Sequence, residues 1–504
     1  MIAQEHRLDK VEVMEVAQLR QFVEDAARQG TAAHEVELGL FRRLISLGGK
    51  LFDEFLALQG SGDVGKQFTL PDGQVVPRVA ELHEREYTNI FGDFTLRRTV
   101  YSARPHQQLV VPLDARLQLP DSKFSHLLQS WDQLVATEQP YAQVSRVFET
   151  IFELRQHVDS LERTSRRLSP DAEAFCWSRA APPAAEEGEI LVESADGKGV
   201  PIRHAADAPP IQDHQHRPGP KPDRKRMATV GAVYSVDPFV RTPKQVLEAL
   251  FHDPAKPSAD LPLRPRPQHK WTYARLDDDP DQPDAVKGQP AVFCWLDEQL
   301  RARLKRRRKE VAVVCLMDGQ ETLWSTKESM QSDVETVDIL DLLHVTPRLW
   351  TAAKLFHRQN EAAEAFVREQ AHRILQGKVK TVIHSLRARA TRRGLSEEKK
   401  ASLEEICLYF TKNAKRMRYD EYLRAGYPIA SGVIEGACRH VVKDRLERTG
   451  MSWTRPGAQA MLNLRAIWTC DQWEAFDKYR IDRETVRLFP YRESLCALEW
   501  PLAA

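Results

Sequence analysis

The chain has no long apolar run. Its longest, Val311–Met317, is seven residues in a total of 504, whereas a bilayer-spanning helix needs roughly 20. No membrane segment is expected. The first residues, MIAQEHRLDKVEVMEV, mix acids among the apolar positions and have no continuous hydrophobic centre, so no export leader is expected either, and a cytoplasmic setting follows. Paired cysteines are missing as well. The seven thiols lie at least 21 positions apart, which makes neither a disulfide framework nor a Cys-x-x-Cys zinc site and suits a reducing compartment. An excess charge of one sign is also lacking, since 73 Lys and Arg balance 72 Asp and Glu to leave +1. Overall charge therefore says nothing about nucleic acid. What is present, 42% hydrophobic and 29% charged residues, is the composition of a globular protein, long enough for about three domains at roughly 150 residues each.

Local charge is more informative. Arg301–Lys309 holds seven bases in nine residues, Arg387–Arg393 holds four, and Arg439–Arg448 holds four bases and His440 against two acids. Such blocks either track a phosphate backbone or form a solvated helix face.

Apolar spacings of three and four predict helices from Val11 to about Gly60, with Leu19, Phe22 and Val23 followed by Leu40, Leu44, Leu47, Leu51 and Phe55. Between Tyr87 and Leu113, aromatic and β-branched runs broken by Gly92 and Pro105 predict one or two hairpins. Helix returns over Lys123–Leu168. Within it, Tyr141–Thr150 and Val158–Arg167 are two short helices across a break, the second carrying Arg163, Arg166 and Arg167. This is either a DNA-binding helix-turn-helix or a plain packed hairpin. Arg179–Glu187, rich in proline and alanine, reads as a domain boundary.

Beyond it the pattern becomes α/β. Ile190–Ala195 reads as a strand ending in an Asp196-Gly197 turn, with Val200–His204 as its hairpin partner and Met227–Val236 as a third strand. The polar stretches Ala205–Arg224 and Pro254–Pro290 read as excursions from the core. A helix at Leu296–Lys309 leads to Val311–Met317, an apolar strand buried on both faces. After Asp318-Gly319 come a helix near Leu323–Met330 and a short strand at Val337–Leu340. Helical patterning without strands fills Leu349–Met417, and a last helix, roughly Val433–Arg448, ends at Gly450. Six segments result: a helical region 1–80, a hairpin and helix-turn-helix-like DNA-binding region 81–180, the first part of an α/β core 186–342, a helical insertion 343–420, a closing core helix 421–470 and a tail 471–504. The fold class is α/β, a mixed sheet with a helical insertion preceded by a mainly helical region. The element order is that of the ribonuclease H-like fold.

In that fold, acids after the first strand, after the fourth strand and on the late helix converge. Here those places hold Asp196, Asp318 and Glu435. Hard oxygen ligands suit Mg²⁺, and paired ions activate an attacking oxygen and stabilise the leaving one in phosphoryl transfer. Taken singly, each Asp-Gly is an ordinary surface turn and Glu435 an ordinary helix residue; the case rests on their coincidence. Asp338 and Asp341 compete for the second place, and Asp341 stands three residues before His344. Turn position favours Asp318, leaving Asp341 to cap or orient and His344 to pack. His204, Asp213, His214 and His216 fit no established zinc spacing. On the last helix, Arg439, Lys443 and Arg445 follow Glu435 as candidate backbone contacts, and Trp453 is a stacking residue or a core one.

Several segments together resemble a known family. YPIASGVIEGACRHVVKDRLERTGMSW (Tyr427–Trp453), SADGKGVPIR (Ser194–Arg203), RMATVGAVYSVDPFVRTP (Arg226–Pro243) and VAVVCLMDGQETLW followed by ILDLLHV are similar to bacterial insertion-sequence transposases of the ISKra type. The likeness runs over about Phe91–Trp468. It implies a DDE enzyme in which Asp196, Asp318 and Glu435 hold Mg²⁺, with Mn²⁺ as a substitute. Such an enzyme nicks element ends and joins 3′ hydroxyls to target DNA. It also implies recognition of terminal inverted repeats by the region before the core, assembly as a homo-oligomer, and action at the bacterial nucleoid. Two alternatives share these features: a catalytically idle DNA-binding descendant, and a nuclease of the same fold that cuts without joining.

Overall fold

The computed structural model describes residues 2–102, 110–203, 225–252, 263–277, 288–330 and 332–496. It divides into two compact units, Met1–Arg167 with Trp473–Ala504, and Leu168–Gln472. Among the described residues, no helix is long and apolar enough to cross a membrane.

In the first unit the helical pattern resolves into Ile2–Gln29 and Ala33–Leu58. Gly30, at φ 65°, supplies the left-handed residue that ends the first of these. Phe52 and Leu56 of the second pack on Tyr87, Leu96 and Leu113. The expected hairpin is His83–Asn89 with Gly92–Arg98, and a smaller one, Gln67–Thr69 with Val75–Pro77, precedes it. The helices at the sequence break are Tyr141–Phe152 and Val158–Ser178. The second is a turn and more longer than the spacing indicated, because Leu168, Ala172 and Phe175 continue its buried stripe past Pro170.

The second unit is built on a five-stranded sheet: β1 (Ile190–Pro201), β2 (Lys225–Val236), β3 (Gln268–Leu276), β4 (Ala312–Met317) and β5 (Val337–Leu340). The order across it is β3-β2-β1-β4-β5. β2 runs antiparallel to β1 and β3, while β1, β4 and β5 are mutually parallel. Valines and leucines of β1 and β4 are buried on both faces, as a central parallel pair requires.

Three expectations are corrected here. Asp196-Gly197 is no hairpin turn: β1 continues to Pro201 and pairs residue by residue with β2, Asp196 opposite Val230 and Gly197 opposite Thr229. The third strand lies inside the stretch expected to be loose, where Trp271, Thr272 and Tyr273 form the buried part of β3. The segment Arg179–Glu187 is packed within the second unit, with the Arg179 guanidinium 4.1 Å over the Trp271 ring and Ala181 buried.

One face of the sheet is covered by α1 (Gly288–Leu304), whose Val292 and Leu296 lie against Gly231 of β2. On the other face Val192, Val314 and Leu316 share a single core with α2 (Leu342–Phe356) and the helices Asn360–Leu375, Val379–Arg392 and Glu397–Asn413. The helical insertion is thus an extension of the sheet's own core.

Candidate active site

Parity and register bring two acids near each other. β1 and β4 pair in parallel from Ile190 opposite Ala312 to Glu193 opposite Cys315; that register carried three residues further, past the end of β4, sets Asp196 toward Asp318, whose charge acts on it. Side chains alternate along a strand. Asp196 therefore shares the face of Val192, and Asp318, just past β4, that of Val314 and Leu316. Asp318 Oδ1 accepts the Gln320 amide at 2.9 Å, and its carbonyl accepts Trp324 Nε1 at 2.6 Å, which fixes the turn after β4.

Glu435 arrives on the same face. Its helix, Gly432–Ala437, continues as a π-helical stretch, Cys438–Lys443, and a last turn, Asp444–Leu446. The entry to it is anchored twice. Ser431 Oγ lies 3.2 Å from Ser194 Oγ of β1, and the Ser431 amide donates to Asp341 Oδ2 at 3.2 Å. The other Asp341 oxygen accepts the Leu343 amide at 2.8 Å as the N-cap of α2. Asp341 is 1% exposed and caps as expected.

His344 departs from expectation. Its side chain is 42% exposed and Nε2 lies 3.8 Å from Glu435 Oε1. Asp341, His344 and Glu435 each offer a ligand atom within 4.8 Å of the others. Cys438 Sγ stands 3.5 Å from Asp196 Oδ2.

The electrostatics agree with the crowding of acids. Burial raises the Asp196 carboxyl above its ordinary range, the Gly197 amide opposes that, and the nearby Asp318 charge pushes the same way as burial. Asp341 is pushed up to about 6 by burial, with the Leu343 amide, His344 and the Ser431 amide opposing and Glu435 adding to the rise. Like charges drawn together in partly dry surroundings favour a bound cation or proton. The donors present are carboxylates with one imidazole, a set that accepts Mg²⁺ or Mn²⁺.

The arginines expected to meet DNA divide. Arg163 and Arg166 are exposed, the latter paired with Glu162. Arg167 turns inward, its guanidinium against Gln129 and 3.6 Å from Glu484. Arg439 is 70% exposed and pairs with Asp444 rather than Glu435, and Lys443 is exposed. Arg445 is buried over the Trp453 ring at 4.8 Å with Nη1 on Met451 Sδ, so it packs the core and is closed to a phosphate backbone. Trp453 is itself core, donating Nε1 to the Leu446 carbonyl at 3.0 Å. In the basic block after Leu300, Arg303 and Arg307 point inward to Glu187. The histidines and Asp213 weighed for zinc lie outside the described residues.

Sequence reasoning set His344 aside and did not connect Cys438 with Asp196. The signal for the first was there, in the Asp341-x-x-His344 spacing at the start of a helix.

No protein-family model matches the chain, and no curated protein matches it. Among solved structures it is similar to the Drosophila P element transposase strand transfer complex, at 10% identity and a TM-score of 0.24, over 71% of this chain and 81% of that one.

Proposed function

We propose that this protein is a DNA transposase of a bacterial insertion sequence, a DDE enzyme on an RNase H-like core that cuts element ends and joins 3′ hydroxyls to target DNA. What supports the reading most is that Asp196, within β1, neighbours Asp318, just past the end of the adjacent parallel strand β4, and that the entry to the Glu435 helix is tied to β1 through Ser194 and to Asp341. The strand order β3-β2-β1-β4-β5 with β2 reversed supports the RNase H-like assignment.

Asp196, Asp318 and Glu435 would hold Mg²⁺, or Mn²⁺ in its place. Bound metal supplies Lewis acidity toward the phosphodiester and lowers the pKa of the attacking water or hydroxyl. The protein's own contribution is positional. Asp341 fixes the entry to Glu435, His344 flanks the glutamate, and exposed Arg439 and Lys443 lie further along the same helix for backbone contacts. Arg163 and Arg166 stay available for element-end recognition in the first unit. The reading includes a homo-oligomer on paired ends and action at the nucleoid in the cytoplasm.

The test is supercoiled DNA carrying candidate inverted repeats, incubated with Mg²⁺ and either wild-type protein or Asp318→Asn. Cleaved and joined products that vanish in the variant support the transposase. Cleavage without joining assigns a nuclease, and binding without either assigns an idle descendant.

A further inference from the structure

A second feature of the same unit gathers three arginines that pair with no carboxylate among the described residues. Beside the segment leading to Glu435 lies a cavity of about 380 Å³, with Phe239, Gly432 and Val433 in its walls and Arg241, Arg264 and Arg266 on its lining. Arg241 is half-buried. Its Nη2 donates to the Tyr427 carbonyl at 3.1 Å and its Nε to the Phe239 carbonyl at 3.3 Å, which hold the guanidinium in place without neutralising it. None of the three arginines forms an ion pair with a carboxylate among the described residues. Asp237, the acid on the lining among the described residues, accepts the Glu189 amide at 3.3 Å. Burial, and then the neighbouring Arg264 charge, pull Arg241 down to about 10.

Buried or partly buried charges are ordinarily paired, as Arg303 is with Glu187 on the far side of the sheet. The half-buried Arg241 and the exposed Arg264 and Arg266 on one partly apolar lining suit an anion, and a guanidinium's planar fork of donors matches two oxygens of a phosphate. Location narrows the source. The wall residues Ile429–Val433 run into the Glu435 helix, and Leu342, which opens α2, donates to the Ile429 carbonyl at 2.9 Å.

We infer that this cavity takes a backbone phosphate of the DNA strand bound at the carboxylates, with Arg241 and Arg264 as its ligands. The inference rests on the proposed function and names a substrate contact that the acidic residues do not provide.

The experiment uses full-length Glu435→Gln protein, so that no strand is cut, and follows binding of a fluorescent single-stranded oligonucleotide across a salt series. Arg264→Gln, a change at an exposed position, is the primary variant. Arg241→Gln and Arg241→Lys accompany it, with thermal melting to confirm that each is folded. Arg264→Gln and Arg241→Gln should each weaken binding several-fold and lower the log–log salt slope by about 0.7, the value of one single-strand phosphate contact. Arg241→Lys should keep the slope. Unchanged affinity and slope in Arg264→Gln, with the parent binding normally, would overturn the cavity assignment and leave the transposase reading standing. Inorganic pyrophosphate provides the other arm: Arg-dependent binding of it, together with unaltered oligonucleotide binding, assigns the cavity to a free phosphate compound and overturns the DNA contact. A parent protein that binds no oligonucleotide at all sinks the transposase reading itself.

Discussion

The Asp341 carboxylate accepts the Ser431 amide at 3.2 Å, joining the start of α2 to the approach of the Glu435 helix. The same carboxylate caps α2 through Leu343. Asp341→Ala removes an N-cap, about 1 kcal/mol, and strands a buried amide, about 1–3 kcal/mol. A loss of about 2–4 kcal/mol is expected, read as a lower urea midpoint at unchanged slope. Asp341→Asn keeps one good acceptor and should fall between. An alanine variant as stable as wild type would show that the carboxylate does not tie the two elements together.

Arg303 decides whether the basic block after Leu300 is a DNA stripe. Its side chain and that of Glu187 are both 0% exposed, Nη1 lies 2.8 Å from Glu187 Oε1, Nη2 donates to the His269 carbonyl, and the guanidinium lies 4.5 Å over Trp271. Removing one partner of a buried pair costs about 3–5 kcal/mol when the other charge is left alone; Arg307 stays 3.3 Å from the same carboxylate. Arg303→Met should therefore destabilise toward the lower end of that range, and adding Glu187→Gln should cost more, because it leaves the buried Arg307 unpaired. A variant of full stability with weakened DNA binding would reverse the assignment.

The first unit carries two titrations of opposite sign. Burial pushes the Asp132 carboxyl up to about 7, against the pull of Gln133 and Gln156. Burial, then Arg480, pulls the His126 imidazole down to about 4. For Asp132 the folded state binds the extra proton between about 4 and 7, so stability falls as pH rises. For His126 the unfolded state binds it between about 4 and 6.5, so stability rises with pH. In the wild type the two offset one another over most of that range. Asp132→Asn should remove the fall due to Asp132, so that the variant gains on the wild type between about pH 4 and 7 by up to about 1.4 kcal/mol per unit. Urea midpoints of wild type and variant at half-unit intervals provide the check, and parallel profiles would count against the Asp132 assignment.

These cases show which links were legible from sequence. Val311–Met317 read correctly because a short apolar run between breakers has few homes other than a central parallel strand, and Val337–Leu340, at the sheet edge, read correctly from its β-branched residues alone. The acids followed from those strands. Asp196-Gly197 was misread because turn preference is local, whereas the pairing with β2 that overrides it comes from beyond a long intervening stretch. β3 was hidden by the prolines on either side of Trp271–Leu276; three strands still precede Gly288–Leu304, since one false strand replaced one missed strand, but the helix Pro243–Leu250 stands between the second and the third. Inward arginines cannot be told from outward ones by spacing, because what buries Arg167 and Arg445 is Glu484 and Trp453, partners known only from the fold. The π-helical stretch has no sequence marker either.

That stretch has an identifiable support. Arg465, 1% exposed on the helix Arg455–Trp468, donates Nε to the carbonyls of His440 at 2.9 Å and Val441 at 3.0 Å. A π turn frees carbonyls from the regular ladder, and here a buried guanidinium satisfies them. The wide turn also bears on the site, since it begins at Cys438, whose thiol meets Asp196, and it leaves Arg439 to Asp444 rather than to Glu435. Arg465→Leu strands these acceptors in a dry place at a cost of about 2–4 kcal/mol, and relaxation of the stretch toward α-helix would draw Cys438 away from Asp196. The thiol is buried and held mostly protonated, chiefly by burial and then by Asp196. The variant should therefore show a lower urea midpoint together with faster labelling of Cys438 by a thiol reagent under native conditions, read by mass spectrometry. Arg465→Lys, which returns one donor, should recover part of both. A leucine variant that loses stability while Cys438 stays as protected as in wild type would mean that Arg465 supports the fold at large and leaves the wide turn unaffected.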